Sequence, residues 1–451
     1  MTAREVAFKS LGEYRRTKTW PEITLGKLSA GLSARDLALA LQIVNGVIQN
    51  MTYCDYIISH FSSVGIKKLE PRVLDILRMS IYQIIFLTRV PNSAAVYEGV
   101  KLAEKYANPR AVSYVNAVLR KAAGAAECGD LPEVKGDTEI SRLSVAYSHP
   151  EWLVREFCVA LGCDGAEALL ALNNSADTPV TAQVNTLLTD MDRTLTMLEA
   201  NGVTARRHEW LENCIQLHRA GDIEKMDAFK RGYFYIQDAA ARLAVIAADP
   251  KPGDFVLDGC AAPGGKSFAA AITMKNTGRI VAFDINAAKL PLIKAGAERL
   301  GIGIIKEFEK DASATYGLRT TRLEEKESLI GRVDIVLADV PCSGFGVIRK
   351  KPEIRYKTES GVAGLPDIQK QILSALSAYV KPGGKLLYSS CTVLKQENED
   401  VIEWFLREND QFYPDGYRLP HIGYISDGMT TLWPHIHGTD GFFICRLKRC
   451  S

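Results

Sequence analysis

Apolar side chains recur every three or four positions over the first 126 residues, which is the spacing that places them on one face of an α-helix. Strand-like alternation is nearly absent there, so we predict an all-α domain over residues 1–127. The next stretch, residues 128–139, is rich in glycine, proline and acidic residues and is typical of a linker. The helical pattern is clearest in three stretches: RDLALALQIVNGVIQN, PRVLDILRMSIYQIIFLTRV and AVSYVNAVLRKAAG.

Residues 140–248 mix helical and strand-like patterns. HPEWLVREFCVAL and AEALLALNNS are helical in their spacing. PVTAQVNTLL predicts a strand that leads into the helix DRTLTMLEANG, and GYFYIQDAAARLAVIAA predicts another strand followed by a helix. The alternation predicts a small α+β domain before the last part of the chain.

From residue 249 to residue 451, short apolar runs rich in β-branched residues alternate with helical stretches. Strand and helix in this rhythm predict an α/β doubly wound, Rossmann-like sheet that is covered by helices on both faces. The strand-like runs are DFVLDGC, GRIVAFDI, GIIKEF, RVDIVLADV and GGKLLYSSC.

Charge and cysteine usage narrow the class of protein. The formal net charge of +2 is close to neutral, although the first 130 residues hold about 17 Lys and Arg against about 11 Asp and Glu, a moderate basic excess. The charged N-terminus and the absence of a long uncharged apolar run predict a cytoplasmic protein without a membrane segment. The 10 cysteines form no CxxC pair and the 7 histidines have no metal-ligand spacing, so we expect neither a metal site nor a disulfide framework.

Three acidic residues mark a ligand site, because ligands of open α/β sheets bind at the carboxyl ends of the strands. The first such end, LDGCAAPGGKS, matches neither the dinucleotide-binding nor the P-loop motif. Asp284 ends the second strand, where its carboxylate can accept hydrogen bonds from both ribose hydroxyls of a nucleoside. Asp311 follows the third strand, within reach of an adenine amino group, and Asp339 ends the fourth. One acid at a strand end is usually a helix cap, but three at successive ends favour a shared nucleoside site.

Cys342 and Cys391 each follow a strand that is predicted to end at this same edge. A thiolate there is a candidate nucleophile. The ordinary alternative for either cysteine is a thiol packed in the core. Two cysteines at two such strand ends, both beside Asp339, favour the reactive role over the packed one.

Five motifs resemble, in order, those of the RNA (cytosine-5) methyltransferases that use S-adenosylmethionine, and the helical domain resembles the NusB-like RNA-binding domain. Nearly the whole chain is similar to the bacterial 16S ribosomal RNA (cytosine-5) methyltransferases of the RsmB (Fmu/Sun) type. Small departures from the usual pattern stand at Gly259, Ser267, Val340 and Ser390. The motifs are CAAPGGK, FDIN, DVPCSGFGVIRKKPEIRY, YSSCTVLKQENEDVI and DGFFICRLKR.

The resemblance implies roles for the candidate residues. Cys391 is expected to be the nucleophile and Cys342 to assist product release, although the DNA cytosine-5 methyltransferases use the cysteine of a Pro-Cys dipeptide, which corresponds to Cys342. Asp339 is expected to hold the N3 and amino edge of the cytosine, and Lys266 to organise that acid. The residues expected to bind the cofactor are Cys260, Ala261, Ala262, Pro263, Gly264, Gly265, Lys266, Asp284, Asp311 and Asp339.

The predicted function is therefore the transfer of a methyl group to carbon 5 of a cytosine in 16S ribosomal RNA, free or in an early assembly particle, by a monomeric enzyme. The target base must be unpaired or flipped out of its stack. A transfer RNA substrate and a non-catalytic RNA-binding assembly factor are the alternatives. Candidate RNA contacts are Arg349, Lys350, Lys351 and Tyr356 in one loop, and Arg35, Lys67, Lys68, Arg72 and Arg120 in the helical domain.

Overall fold

The computed structural model describes residues 1–17, 21–175, 179–218, 221–314 and 328–451. The chain divides into two compact units. The first consists of Met1–Ser175 together with Ile348–Lys357, and the second of Ala176–Val347 together with Thr358–Ser451. Among the helices described, none is both long and apolar enough to cross a membrane.

The first unit is helical, as predicted for the N-terminal domain. Sequence signals define several helix ends: the side chain of Ser33 accepts a hydrogen bond from the backbone N–H of Asp36, and Gly129, at a φ of 76°, ends the seventh helix. The helices are α1 (Ala3–Thr17), α2 (Pro21–Leu28), α3 (Ala34–Gln49), α4 (Met51–Phe61), α5 (Pro71–Phe86), α6 (Asn92–Tyr106), α7 (Pro109–Cys128), α8 (Glu139–Tyr147) and α9 (Glu151–Asn173).

Helices α8 and α9 belong to this helical unit, whereas the sequence analysis placed their residues in the small α+β domain. The break between the two predicted helical stretches is visible within α9, where Gly162 has a φ of 73° and a ψ of 165°. The compact units thus divide the chain differently from the predicted domain ranges.

The segment Ile348–Lys357 is fixed within the helical unit by Arg355, which is fully buried. Its guanidinium group donates hydrogen bonds to the backbone oxygens of Gln49 (2.7 Å) and Tyr147 (3.2 Å) and to Oδ1 of Asn174 (2.7 Å). Tyr356 packs against the hydrophobic core of the same unit. Tyr356 is thus only partly exposed, and its stacking on an RNA base stays a prediction.

The second unit begins with a small antiparallel sheet of order β2-β3-β1-β4 that is accompanied by two helices. This is the predicted small α+β fold, although the sequence analysis did not identify β2 and β3. Its elements are β1 (Val180–Val184), α10 (Met191–Ala200), β2 (Thr204–Arg207), β3 (Cys214–His218), α11 (Asp227–Lys230) and β4 (Phe234–Ile236).

The large sheet has the order β10-β14-β9-β8-β5-β6-β7, with β13 paired to β14. The strands from β9 to β7 are parallel, and β10, β13 and β14 are antiparallel to their partners. The elements are α12 (Ala239–Ala248), β5 (Phe255–Asp258), α13 (Gly265–Thr273), β6 (Arg279–Asp284), α14 (Leu290–Arg299), β7 (Ile305–Glu309), β8 (Val333–Asp339), α15 (Glu359–Val362), α16 (Leu365–Ser377), β9 (Val380–Ser390), α17 (Glu399–Glu408), β10 (Phe412–Pro414), β11 (Tyr417–Leu419), β12 (Gly423–Ile425), β13 (Met429–Leu432), α18 (Pro434–His437) and β14 (Phe442–Arg449).

The predicted doubly wound sheet is confirmed. The strand order runs from β5 through β6 to β7 in one direction and from β8 to β9 in the other. The adjacent strands β5 and β8 therefore form the topological switch point, where open α/β sheets bind their ligands. Strand β5 leads into the loop with the sequence CAAPGGK, and β8 ends at Asp339.

Candidate active site

The loop between β5 and α13 is held against the end of β6 by its own backbone. The N–H of Ala261 donates to the backbone oxygen of Phe283 (2.7 Å), and the N–H of Ala262 donates to Oδ2 of Asp284 (3.1 Å). Gly264 has a φ of 112°, and a Cβ atom there would lie 2.4 Å from the ring of Phe268. Only glycine therefore permits this tight entry into α13.

A cavity of about 500 Å³ lies along the carboxyl ends of the parallel strands. Its lining includes Asp284, Asp311 and Asp339, so the structure brings together the three predicted acids. Cys342 and Cys391 line the same cavity. Cys260 and Ala262 line it as well, whereas the side chain of Ala261 packs in the core and Pro263, Gly264 and Gly265 build the turn into α13.

The cavity fits the nucleoside cofactor expected from the sequence. Its volume is in the range of ordinary small-molecule sites. Asp284 accepts backbone hydrogen bonds on both oxygens, from Ala262 and from Asn286 (2.9 Å), and each carboxylate oxygen keeps a lone pair for a ribose hydroxyl. Asp311 accepts two hydrogen bonds from Ser313, which hold the pKa of Asp311 below its usual value and keep it an ionised acceptor.

Replacing Asp284 with alanine is expected to weaken cofactor binding about 10- to 150-fold for each ribose hydroxyl that loses its acceptor, since one hydrogen bond to a charged group contributes about 1.5–3 kcal/mol. Titration calorimetry with S-adenosylhomocysteine measures the change directly. Asp192→Asn, at a highly exposed carboxylate on α10, is the matched control and should bind like the wild type. Equal affinity in Asp284→Ala and the control would remove Asp284 from the site.

Asp339 is held at the switch point by two side chains. Its Oδ2 lies 2.7 Å from Nζ of Lys266, and its Oδ1 accepts a hydrogen bond from the hydroxyl of Ser389 (2.8 Å). Lys266 is largely buried and its ammonium group also lies 5.0 Å from the ring centre of Phe442. The pair fixes the direction of the carboxylate toward the cavity that Asp339 lines.

The two candidate thiols lie next to each other, with 3.1 Å between the Sγ atoms of Cys342 and Cys391. The backbone N–H of Gly346 donates to the backbone oxygen of Cys391 (2.9 Å), which ties the turn after Cys342 to the end of β9. A Cβ atom at Gly346 would lie 1.9 Å from the backbone oxygen of Gly441, so this approach requires glycine.

The environments of the two sulfurs differ. A hydrogen bond from the Cys342 thiol lowers the pKa of Cys391, and the ammonium group of Lys266 acts in the same direction. The same hydrogen bond, together with burial, raises the pKa of Cys342 well above the usual value for a thiol. The thiol of Cys391 is thus the more acidic of the two, an asymmetry suited to nucleophilic chemistry at Cys391.

Several polar residues of this region carry no signal in the sequence that marks them as part of the site. Ser389 contacts Asp339 because the two residues are paired across β8 and β9, and the serines before Cys391 give no local indication of which one faces the acid. Glu397 and Gln369 are fully buried beside the turn that carries Cys342. Gln369 lies on α16, and nothing in its local sequence marks it as part of the site.

Three family models match the chain. One described as 16S rRNA methyltransferase RsmB/F matches residues 245–448, the NusB family model matches residues 1–124, and a ferredoxin-like domain of RsmF/B-like proteins matches residues 149–224. A protein of Bacillus subtilis (strain 168) named probable ribosomal RNA small subunit methyltransferase B is 35% identical over 457 residues, which cover 99% of both chains. A protein of the same name from Synechocystis is 30% identical over 457 residues, which cover 100% of both chains.

Solved structures share the architecture. One described as "Crystal Structure of PH0851" has a TM-score of 0.77 and 27% identity, and the match covers 98% of this chain and 97% of that one. NSun6 from Pyrococcus horikoshii, described as a structure with SFG, has a TM-score of 0.58 and 19% identity over 67% of this chain. The second likeness concerns the fold alone.

Proposed function

Because this chain belongs to the RsmB/F family of 16S rRNA methyltransferases, which depend on S-adenosylmethionine, we propose that it methylates carbon 5 of a cytosine through a covalent bond between Cys391 and carbon 6. The observation that carries the proposal is the pair of thiols, 3.1 Å apart, that lines one cavity with Asp339 and Asp284. The NusB-like helices and the ribosomal relatives support small-subunit ribosomal RNA as the substrate.

Carbon 5 of cytosine is too poor a nucleophile to be methylated directly. Addition of the Cys391 thiolate to carbon 6 converts the ring to an enamine and makes carbon 5 nucleophilic, which divides one difficult step into two easier ones. S-adenosylmethionine, when bound, supplies an electrophilic methyl group. A solvent water then takes the proton from carbon 5, the released electron pair re-forms the double bond between carbons 5 and 6, and the bond between carbon 6 and Cys391 breaks, which returns the thiolate.

The other residues of the site hold protons or orient the groups that react. Asp339 is positioned to hold the N3 and amino edge of the base, and Lys266 and Ser389 orient its carboxylate. Cys342, whose proton is retained because its pKa is raised, assists the departure of Cys391 at the end of the reaction. Arg35, Lys67, Lys68, Arg72 and Arg120 are exposed on the helical unit, where they are available to RNA phosphates.

Covalent trapping tests this function. The protein is incubated with S-adenosylmethionine and 16S-derived RNA that carries 5-fluorocytosine, whose fluorine blocks the elimination step, and the products are separated on a denaturing gel. We expect an adduct with this RNA and, with the natural RNA, 5-methylcytidine in the nucleoside digest. An adduct formed with transfer RNA instead would change the substrate, and the absence of any adduct or methyl transfer would favour a binding factor.

A further inference from the structure

Glu397 is a fully buried carboxylate that the proposed chemistry does not use. It ends a short helical turn, Lys395–Glu397, six residues after Cys391. Its Oε2 accepts hydrogen bonds from the backbone N–H of Ser343 (2.9 Å) and from Nε2 of Gln369 (2.9 Å). Burying a charge is costly unless it is compensated, so a carboxylate in this position calls for an explanation.

Gln369 completes a clamp around the residue Cys342. Its Nε2 donates one hydrogen bond to Glu397 and a second to the backbone oxygen of Pro341 (3.0 Å). The peptide groups on both sides of Cys342 are therefore held: the oxygen before it by Gln369 and the N–H after it by Glu397. Gln369 is fully buried, so water does not compete for these bonds.

A second set of contacts ties the same turn to the residues after Cys391. The hydroxyl groups of Ser343 and Thr392, the residues that directly follow the two cysteines, lie 2.8 Å apart. The phenol of Tyr388 donates to the backbone oxygen of Glu397 (2.5 Å). The carboxylate of Glu397 thus sits in a network that connects both cysteine-bearing segments.

We propose that Glu397 and Gln369 are positioning residues, which orient the turn of Cys342 so that its thiol donates to the sulfur of Cys391. The proposal rests on the proposed function for its catalytic meaning. The carboxylate also acts on the thiol through space, since the charge of Glu397 contributes to raising the pKa of Cys342. Glu397 therefore helps to keep Cys342 protonated and able to donate.

The test is the pH dependence of alkylation of each cysteine by iodoacetamide, measured by mass spectrometry of peptides from the full-length protein. In Glu397→Gln, a neutral variant of nearly the same shape, we expect Cys342 to react faster near neutral pH and its alkylation midpoint to move to lower pH, because the variant removes a charge that disfavours the thiolate. Gln369→Ala keeps the charge of Glu397 but releases the turn that carries Cys342. In this variant the midpoint of the alkylation profile of Cys391 should move to higher pH, because its sulfur loses the hydrogen bond from the Cys342 thiol.

Glu399→Gln is the matched control, because it removes a carboxylate two residues away whose bond is to the hydroxyl of Thr431 and not to the turn. It should alkylate like the wild type. Binding of S-adenosylhomocysteine within threefold of the wild type reports that each variant has folded, and Gln369→Ala keeps the test informative if Glu397→Gln does not fold. Unchanged profiles for both cysteines in the two variants would overturn the proposal.

The assay requires no RNA, so its result is independent of the proposed function. Altered thiol profiles together with no RNA adduct in the wild type would support the positioning role and reject the cytosine chemistry. With natural RNA, we further expect Glu397→Gln to accumulate a covalent adduct that the control does not accumulate, because release depends on the oriented proton of Cys342.

Discussion

Replacing Cys391 with alanine is expected to lower the single-turnover rate of methyl transfer about a thousandfold or more, because the variant has no group to add to carbon 6 and loss of a nucleophile removes the whole covalent route. The adduct with 5-fluorocytosine RNA should disappear at the same time. Affinity for S-adenosylhomocysteine should stay within a few fold, since the carboxylates that line the cofactor end of the cavity are unchanged.

Cys342→Ala distinguishes the two thiols. We expect it to form the adduct with 5-fluorocytosine RNA and to accumulate an adduct with natural RNA as well, because addition at Cys391 is intact while release is slowed. The comparison is made on denaturing gels with the same labelled RNA. If the adduct is lost in Cys342→Ala and kept in Cys391→Ala, the two roles must be exchanged.

The pH dependence of adduct formation tests whether the contact with Cys342 lowers the pKa of Cys391. The thiolate is the reactive form, so the rate of adduct formation should fall as the pH drops through the pKa of Cys391. The hydrogen bond from Cys342 lowers that pKa, and its removal in Cys342→Ala should move the midpoint to higher pH. An unchanged midpoint would mean that the 3.1 Å contact does not bias the proton between the sulfurs.

The large sheet and the strand ends could be predicted because buried parallel strands are nearly continuous apolar runs, and the residues that follow them gather at one edge. That geometry is sufficient to bring Asp284, Asp339 and Cys391 to one cavity, although the first and the last of them are more than 100 residues apart in the chain. The motifs add the chemistry, because four of the five stand at the carboxyl ends of β5, β6, β8 and β9.

Partners supplied by distant elements could not be predicted in this way. Gln369 contacts the turn of Cys342 from α16 through a buried amide, and no periodicity in its helix marks that position. The segment that holds Arg349, Lys350 and Lys351 shows the same limit: its composition is typical of an RNA contact, yet the nearby Arg355 is buried among backbone oxygens of the helical unit. Local composition reports charge but not which side chains the rest of the fold encloses.

Asp339→Asn is expected to lower the single-turnover rate about 10²- to 10⁴-fold, the usual contribution of a positioned acid or base. The amide retains the shape and one acceptor oxygen, but it cannot hold the charged partner Lys266 or share a proton with N3 of the base. Tritium transfer from labelled cofactor at saturating concentration measures the rate. Titration with S-adenosylhomocysteine measures cofactor affinity and so distinguishes a slower reaction from weaker cofactor binding.

Ser389→Ala is the control for Asp339→Asn, because it removes only the neutral donor to Oδ1 of Asp339. Its rate should stay within about tenfold of the wild type, because the contact with Lys266 still orients the carboxylate. A rate for Asp339→Asn as high as that of Ser389→Ala would remove Asp339 from the catalytic role. A loss confined to Asp339→Asn places the acid at the end of β8, beside the turn that bears Cys342.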